Sequence, residues 1–109
     1  MKPKSDLPQG TLDLLILKVV ALGPLHGYAI AQRLQQVSQN VVQVPQGSLY
    51  PALHQLEKKG QIKSEWRTAE NGRERKYYSL TAKGKKTARD YEKQWQHLTG
   101  AIAAVLESK

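Results

Sequence analysis

The sequence predicts an α+β fold, mostly α: three short helices, a basic β-hairpin and one long final helix. Three observations carry this expectation. Apolar residues recur at helical spacing in three blocks before Gly60, and the stretch from Ile62 to Leu80 changes to period-two alternation around Asn71-Gly72. Beyond it, Ala88, Tyr91, Trp95, Leu98, Ile102 and Val105 return at alternating intervals of three and four, which is a heptad seam.

Composition narrows the class before any motif is read. The 109 residues carry 17 Lys+Arg against 9 Asp+Glu, a formal charge of +8, and such a surplus favours a polyanionic partner. A hydrophobic fraction of 39% suits one domain with a modest core. Cysteine is absent, which removes thiolate metal sites, disulfides and thiol nucleophiles together, and the three scattered histidines form no metal constellation. No cofactor is expected. Clustered carboxylates, a glycine-rich phosphate loop and a Ser-His-Asp grouping are all missing from the sequence, so an enzyme is disfavoured.

Residues 1–7 are polar and read as a loose arm, and Pro8-Gln9-Gly10-Thr11 offers turn and cap chemistry for a first helix over 11–22. That helix is apolar nearly all round, so it is expected to meet two surfaces: the domain core and, through Leu12, Leu15 and Val19, a partner chain. It carries Asp13 and Lys18 and is too short to span a bilayer, which points to a cytoplasmic protein with no membrane partner. Gly23-Pro24 ends it. Residues 28–37 resume helical spacing with Ile30, Leu34 and Val37 on one side, and residues 38–46 suit a connector with a short extended piece.

The third helix has the most specific local chemistry. Ser48 is a good N-cap, that choice puts Pro51 in the first turn where a missing N–H costs nothing, and Gly60 supplies the stop. Leu49, Ala52, Leu53 and Leu56 then face inward, while Pro51, His54, Gln55 and Lys58 face outward with Tyr50 beside them. In the hairpin, Ile62, Trp66, Tyr78 and Leu80 are expected on the core side, with Lys63, Arg67, Arg75 and Tyr77 on the other. Thr81 caps the last helix, which runs to about residue 106. Its seam is too long to be covered by so small a domain, so the remainder predicts a homodimer.

Three helices followed by a hairpin make a winged helix-turn-helix over 8–80, with 81–109 as a C-terminal dimerisation helix. The residues also resemble the PadR-like transcriptional regulators, in their short-tailed branch. The resemblance rests on Gly23-Pro24-Leu25-His26-Gly27-Tyr28, Gly47-Ser48-Leu49-Tyr50-Pro51-Ala52-Leu53, Leu56-Glu57-Lys58-Lys59-Gly60, and the run from Gly72-Arg73-Glu74-Arg75-Lys76 through Tyr77-Tyr78-Ser79-Leu80-Thr81, in that order. It covers nearly all of the chain from Leu7 to Leu106.

What the resemblance implies is a homodimeric, repressor-like regulator of double-stranded DNA, with the third helix in the major groove and the wing on the adjacent backbone or minor groove. On that reading Gly47, Ser48, Tyr50 and Pro51 sit at a helix N-terminus that meets phosphate, and His54, Gln55 and Lys58 point toward base edges. Tyr28 contacts the backbone, and Arg73, Arg75 and Lys76 position the wing. His26 either donates to phosphate or fixes the turn before the second helix. Ala88, Tyr91, Trp95, Leu98, Ile102 and Val105 pair the two chains. Trp95 either fills that interface or lines a pocket for a small aromatic or hydrophobic effector, packing being the commoner role. A winged helix also serves architectural DNA packaging or protein contacts, and sequence specificity separates those from a regulator.

Overall fold

The computed structural model describes residues 10–109. The arm expected over 1–7 and the cap chemistry of Pro8 and Gln9 lie outside them. The elements run α1 (Thr11–Val20), β1 (Leu25–His26), α2 (Gly27–Val37), α3 (Gln46–Lys58), β2 (Ile62–Thr68), β3 (Glu74–Leu80) and α4 (Ala82–Glu107). The three strands form an antiparallel sheet in the order β1-β3-β2. Among the described residues no helix is long and apolar enough to cross a membrane.

One core holds the helices to the sheet. Ile16, Leu17 and Val20 of α1, Ile30 and Leu34 of α2, Leu49, Leu53 and Leu56 of α3, Ile62 of β2 and Tyr78 of β3 are buried together, and Ala88 of α4 joins them. The inward set expected of α3 is therefore the observed one. The apolar wrap of α1 also has its explanation within the chain: α4 lies back along it, and Lys18 meets Glu92 at 3.1 Å.

Chain ends of the elements follow local chemistry. Gly60 takes φ 78°, which lets the Gly60 N–H donate to the Glu57 carbonyl at 2.9 Å and the Gln61 N–H to the Leu56 carbonyl at 3.0 Å. This is a Schellman stop. At the hairpin, the Gly72 N–H donates to the Ala69 carbonyl at 2.9 Å and Gly72 has φ 85°, so Asn71-Gly72 closes the turn the sequence signals. Thr81 caps α4 as expected, its hydroxyl accepting from the Gly84 N–H at 3.0 Å while donating to the Gly60 carbonyl at 2.7 Å. One side chain thus ties the end of α3 to the start of α4.

Four expectations are corrected. The N-cap of α3 is Pro45 and not Ser48: Pro45 holds φ −69° and ψ 156°, the helix begins at Gln46, and Pro51 falls beyond the first turn. Its ring leaves the Gly47 carbonyl without its helical donor, on the exposed side. Trp66 does not face the core; it is 66% exposed. It shares the face of Ile62 and Tyr78, but it pairs with Lys76, farther out along the ribbon than the part of the sheet that β1 and the core reach. The connector expected over 38–46 with a short extended piece stops one residue sooner, where α3 begins at Gln46, and it forms no strand; Gln39 and Asn40 both take positive φ and curl its first part. The strand that does form, β1, is too short for any periodicity to reveal.

The fourth correction concerns the pairing face. Val19 and Ala88 are only 8% and 6% exposed, taken up by the chain's own core, so neither offers surface to a partner. Leu12 and Leu15 are partly buried against the same core. The uncovered stretch of α4 begins later, with Leu98, Ile102, Val105 and Leu106 all exposed. A radius of gyration of 15.3 Å exceeds the roughly 13 Å of a compact domain of this length, as a projecting helix requires.

Candidate nucleic-acid interface

The outer side of α3 is built from Gln46, Gly47, Ser48, Tyr50, Pro51, His54, Gln55 and Lys58, all exposed. At its start Pro45 offers no side-chain acceptor, and its carbonyl takes the N–H groups of Ser48 and Leu49, each at 3.0 Å. The N–H groups of Gln46 and Gly47 are left at an open helix terminus, where the partial positive charge of the helix also points. Such an end accepts an anion. Moving the cap from Ser48 to Pro45 lengthens this N-terminal platform and frees the Ser48 hydroxyl.

The one acidic residue of α3, Glu57, turns away from this surface toward the sheet. Its Oε2 accepts from the Ser64 hydroxyl at 2.6 Å and its Oε1 lies 3.8 Å from the Lys76 ammonium. The outward face therefore presents an amide, an imidazole and an ammonium with no carboxylate among them. At the edge of that face His54, Lys58 and the half-buried Glu57 together line a shallow depression.

Tyr50 does two things at once. Its ring packs on Gly27 so closely that a Cβ at Gly27 would stand 2.5 Å from the hydroxyl oxygen, yet the residue keeps 41% of its surface exposed. The start of α2 is thereby fixed against the start of α3, and the exposed Tyr28 beside Gly27 accepts from Gln32 on its own helix at 3.4 Å. Of the two roles open to His26, the turn is the one the structure contains: its Nδ1 accepts from the Ala29 N–H at 3.2 Å and caps α2. Burial, and then the charge of Arg75, pull the His26 pKa below the usual histidine value, consistent with a neutral ring in that role.

On the outer face of the sheet, the Tyr77 ring meets His26 edge-on at 5.3 Å and carries the Arg67 guanidinium at 5.4 Å. Arg67 and Arg75 stand directly opposite each other across β2 and β3, an arrangement that like charges make unfavourable. Arg67 is paired with Glu65 at 2.5 Å, whereas Arg75, like Arg73 at the hairpin tip, forms no ion pair among the described residues. Lys76, expected as a third wing cation, lies 3.8 Å from the Glu57 carboxylate and 6.0 Å over the Tyr78 ring.

Sequence reasoning assigned nothing to Gly27 or to Glu57 individually. Each carries out its part through a residue distant in sequence, so the only available signal was membership of a motif. Trp95, expected at an interface between two chains, is 37% exposed; within the single chain it lines one groove of about 390 Å³ with Gly10, Thr11, Leu14, Tyr91, Gln94 and Leu98, and borders a second of about 440 Å³ beside Lys18 and Val42.

Comparison with known proteins agrees with this geometry. Residues 16–90 match the transcriptional regulator PadR-like family. The chain is similar to a PadR family transcriptional regulator from Eggerthella lenta, at 32% identity and a TM-score of 0.79, covering 93% of this chain and 86% of that one. It is also similar to a PadR-like transcriptional regulator from Bacillus cereus, at 25% identity and a TM-score of 0.81, covering 93% and 96%. A relative from Lysinibacillus sphaericus, named only as an uncharacterized protein X, is 31% identical over 104 residues, 95% of each chain. The matched family model spans the second half of α1, α2, α3, the wing and the first part of α4, and the chain belongs to the PadR-like family of transcriptional regulators.

Proposed function

We propose that this chain represses transcription as a homodimer bound to a palindromic operator. The observation that carries the reading is the exposed side of α3: an open helix N-terminus at Gln46 and Gly47, followed by His54, Gln55 and Lys58 with no acid among them. In the major groove His54, Gln55 and Lys58 read base edges, while Gly47, Ser48, Pro51, Tyr50 and Tyr28 lie along the phosphates. Arg73 and Arg75 anchor the wing. The unpartnered stretch from Leu98 to Val105 supports pairing of two chains, which sets the half-sites about 10 bp apart or a multiple of that. Repression follows from occupancy, since duplex covered in this way is closed to other proteins.

A second feature supports regulation by a small planar apolar molecule. Trp95 borders two grooves and lies on the side of α4 that continues into the pairing face, so a ligand stacked on it acts on the dimer geometry.

The test is binding by fluorescence anisotropy to a duplex selected from a random pool and to its scrambled version, at rising salt. Specific regulation predicts at least a thousand-fold preference for the selected duplex, on the order seen for such proteins. Equal affinities that fall together with salt indicate an architectural protein and sink the reading.

A further inference from the structure

We propose that Glu57 is a positioning residue that latches the wing to the recognition helix, holding Lys76 away from DNA and so fixing the angle at which α3 and the hairpin meet the duplex. The inference rests on the DNA-binding reading above and assigns it a specificity element outside the contact surface.

Glu57 is the only acid of α3, and it sits one residue before Lys58 of the outward face. Its two oxygens reach two different strands. Oε2 takes the Ser64 hydroxyl of β2 at 2.6 Å, and Oε1 faces the Lys76 ammonium of β3 at 3.8 Å. Ser64 pairs with Tyr78 and Lys76 with Trp66 across the ribbon, so the carboxylate grips the wing at two successive levels on one face. The apolar core reaches Tyr78 and no farther out. Beyond that level a two-stranded ribbon has only its own hydrogen bonds to hold its direction, and it is mobile unless tied down. The Schellman turn at Gly60 sets where the chain leaves α3, and the Glu57 bonds set where the wing then points.

The charge has a second effect. Lys76 lies on a strand flanked by Arg75 and faces no other carboxylate within ion-pair distance among the described residues. Held by Glu57 it adds nothing to phosphate binding; released, it becomes one more cation for any duplex, whatever its sequence. The latch thus suppresses indiscriminate binding while it aligns the two elements that read a chosen site.

Glu57→Gln, Ser64→Ala and Lys76→Met are compared with the unaltered chain on the selected and scrambled duplexes across a salt series, with circular dichroism confirming the fold. Glu57→Gln is expected to lower the selected-to-scrambled affinity ratio about ten-fold, the size of one charge-assisted hydrogen bond. It should also bind scrambled DNA more tightly and steepen the salt dependence by about one phosphate contact. Ser64→Ala lowers the ratio but leaves the salt slope unchanged, and Lys76→Met leaves the slope unchanged because Lys76 touches no phosphate. If Glu57→Gln only lowers thermal stability, with ratio and slope intact, the latch is refuted although the DNA-binding reading stands. Should Glu57→Gln fail to fold, an unaltered ratio in Ser64→Ala refutes it equally. An unaltered chain with no preference for the selected duplex overturns both proposals.

Discussion

The Tyr50 ring lies over Gly27 at a distance no side chain at Gly27 could share. A contact between the fourth residue of one motif and the last glycine of another therefore sets how α2 and α3 cross. Gly27→Ala forces the ring out, at a cost of about 1–3 kcal/mol typical of an overpacked site, measured by urea denaturation. Tyr50→Ala removes the obstacle, so the double variant should be no less stable than Tyr50→Ala alone. Strict additivity of the two changes would mean the ring is not what Gly27 accommodates.

Two glycines of α4 should respond in opposite directions. A Cβ at Gly84 overlaps the Gln61 carbonyl oxygen and crowds the Leu80 side chain, whereas nothing lies within 4 Å of a Cβ at Gly100. Gly84→Ala should destabilise by about 1–3 kcal/mol or more, because the neighbour is backbone and cannot swing aside. Gly100→Ala should stabilise by about 0.5–1 kcal/mol through helix propensity. Thermal melts of the two variants decide it.

Loss of the Thr81 hydroxyl removes both the cap on Gly84 and the bond to Gly60. Thr81→Ala is expected to cost about 1–2 kcal/mol, and Thr81→Ser to restore most of it. Hydrogen exchange should show the first turn of α4 opening in the Ala variant and closed in the Ser variant.

Below neutrality His26 should make the fold pH-sensitive. Its folded pKa lies under the usual value of 6.5, so above 6.5 the ring is neutral in both folded and unfolded chains and the cap on Ala29 is complete. As pH falls from 6.5 through the folded pKa, the unfolded chain takes the proton first and the stability contributed by the neutral ring is lost. Burial raises the Asp13 pKa, with Lys59 opposing the shift, and this acts with the other sign: its contribution is lost as pH rises from 3.8 through the folded value. Replacing His26 with Asn keeps a capping acceptor and removes the titration. Urea midpoints for His26→Asn should then be flatter than the parent's just below pH 6.5, and parallel curves would show that His26 does not supply the dependence.

Pairing of chains is expected to depend on the far half of α4. Ile102→Glu should give a monomer in sedimentation velocity without unfolding the domain, since Ile102 is 47% exposed and takes no part in the core. Trp95→Ala should weaken pairing or abolish binding of a planar aromatic probe, read by the anisotropy of the probe's own fluorescence, and in a separate Trp66→Phe variant the same probe should quench Trp95, the one remaining tryptophan. Unchanged sedimentation and unchanged probe anisotropy in Trp95→Ala would together remove both roles from Trp95.

Much of this protein was determined by sequence alone because the signals are local. Helical spacing put Leu49, Leu53 and Leu56 inward, Gly60 and Gly72 marked points where the backbone must take positive φ, and Thr81 capped the helix that follows it. A heptad pattern likewise announced α4, though not its partner.

What needed the tertiary structure was every question of what lies opposite a residue. Period-two alternation places Trp66 on the same face as Ile62 but says nothing of how far the core extends beneath that face, and Trp66 lies past its edge. Equal spacing makes Ala88 and Ile102 members of one seam, yet α1 and the sheet cover the first and leave the second bare. Lys76 and Arg75 are neighbours with the same charge, and only Glu57, 19 and 18 positions earlier in the chain, separates a tethered cation from a free one. Periodicity gives a side chain its direction; its covering and its partner come from elements that the chain brings back from elsewhere.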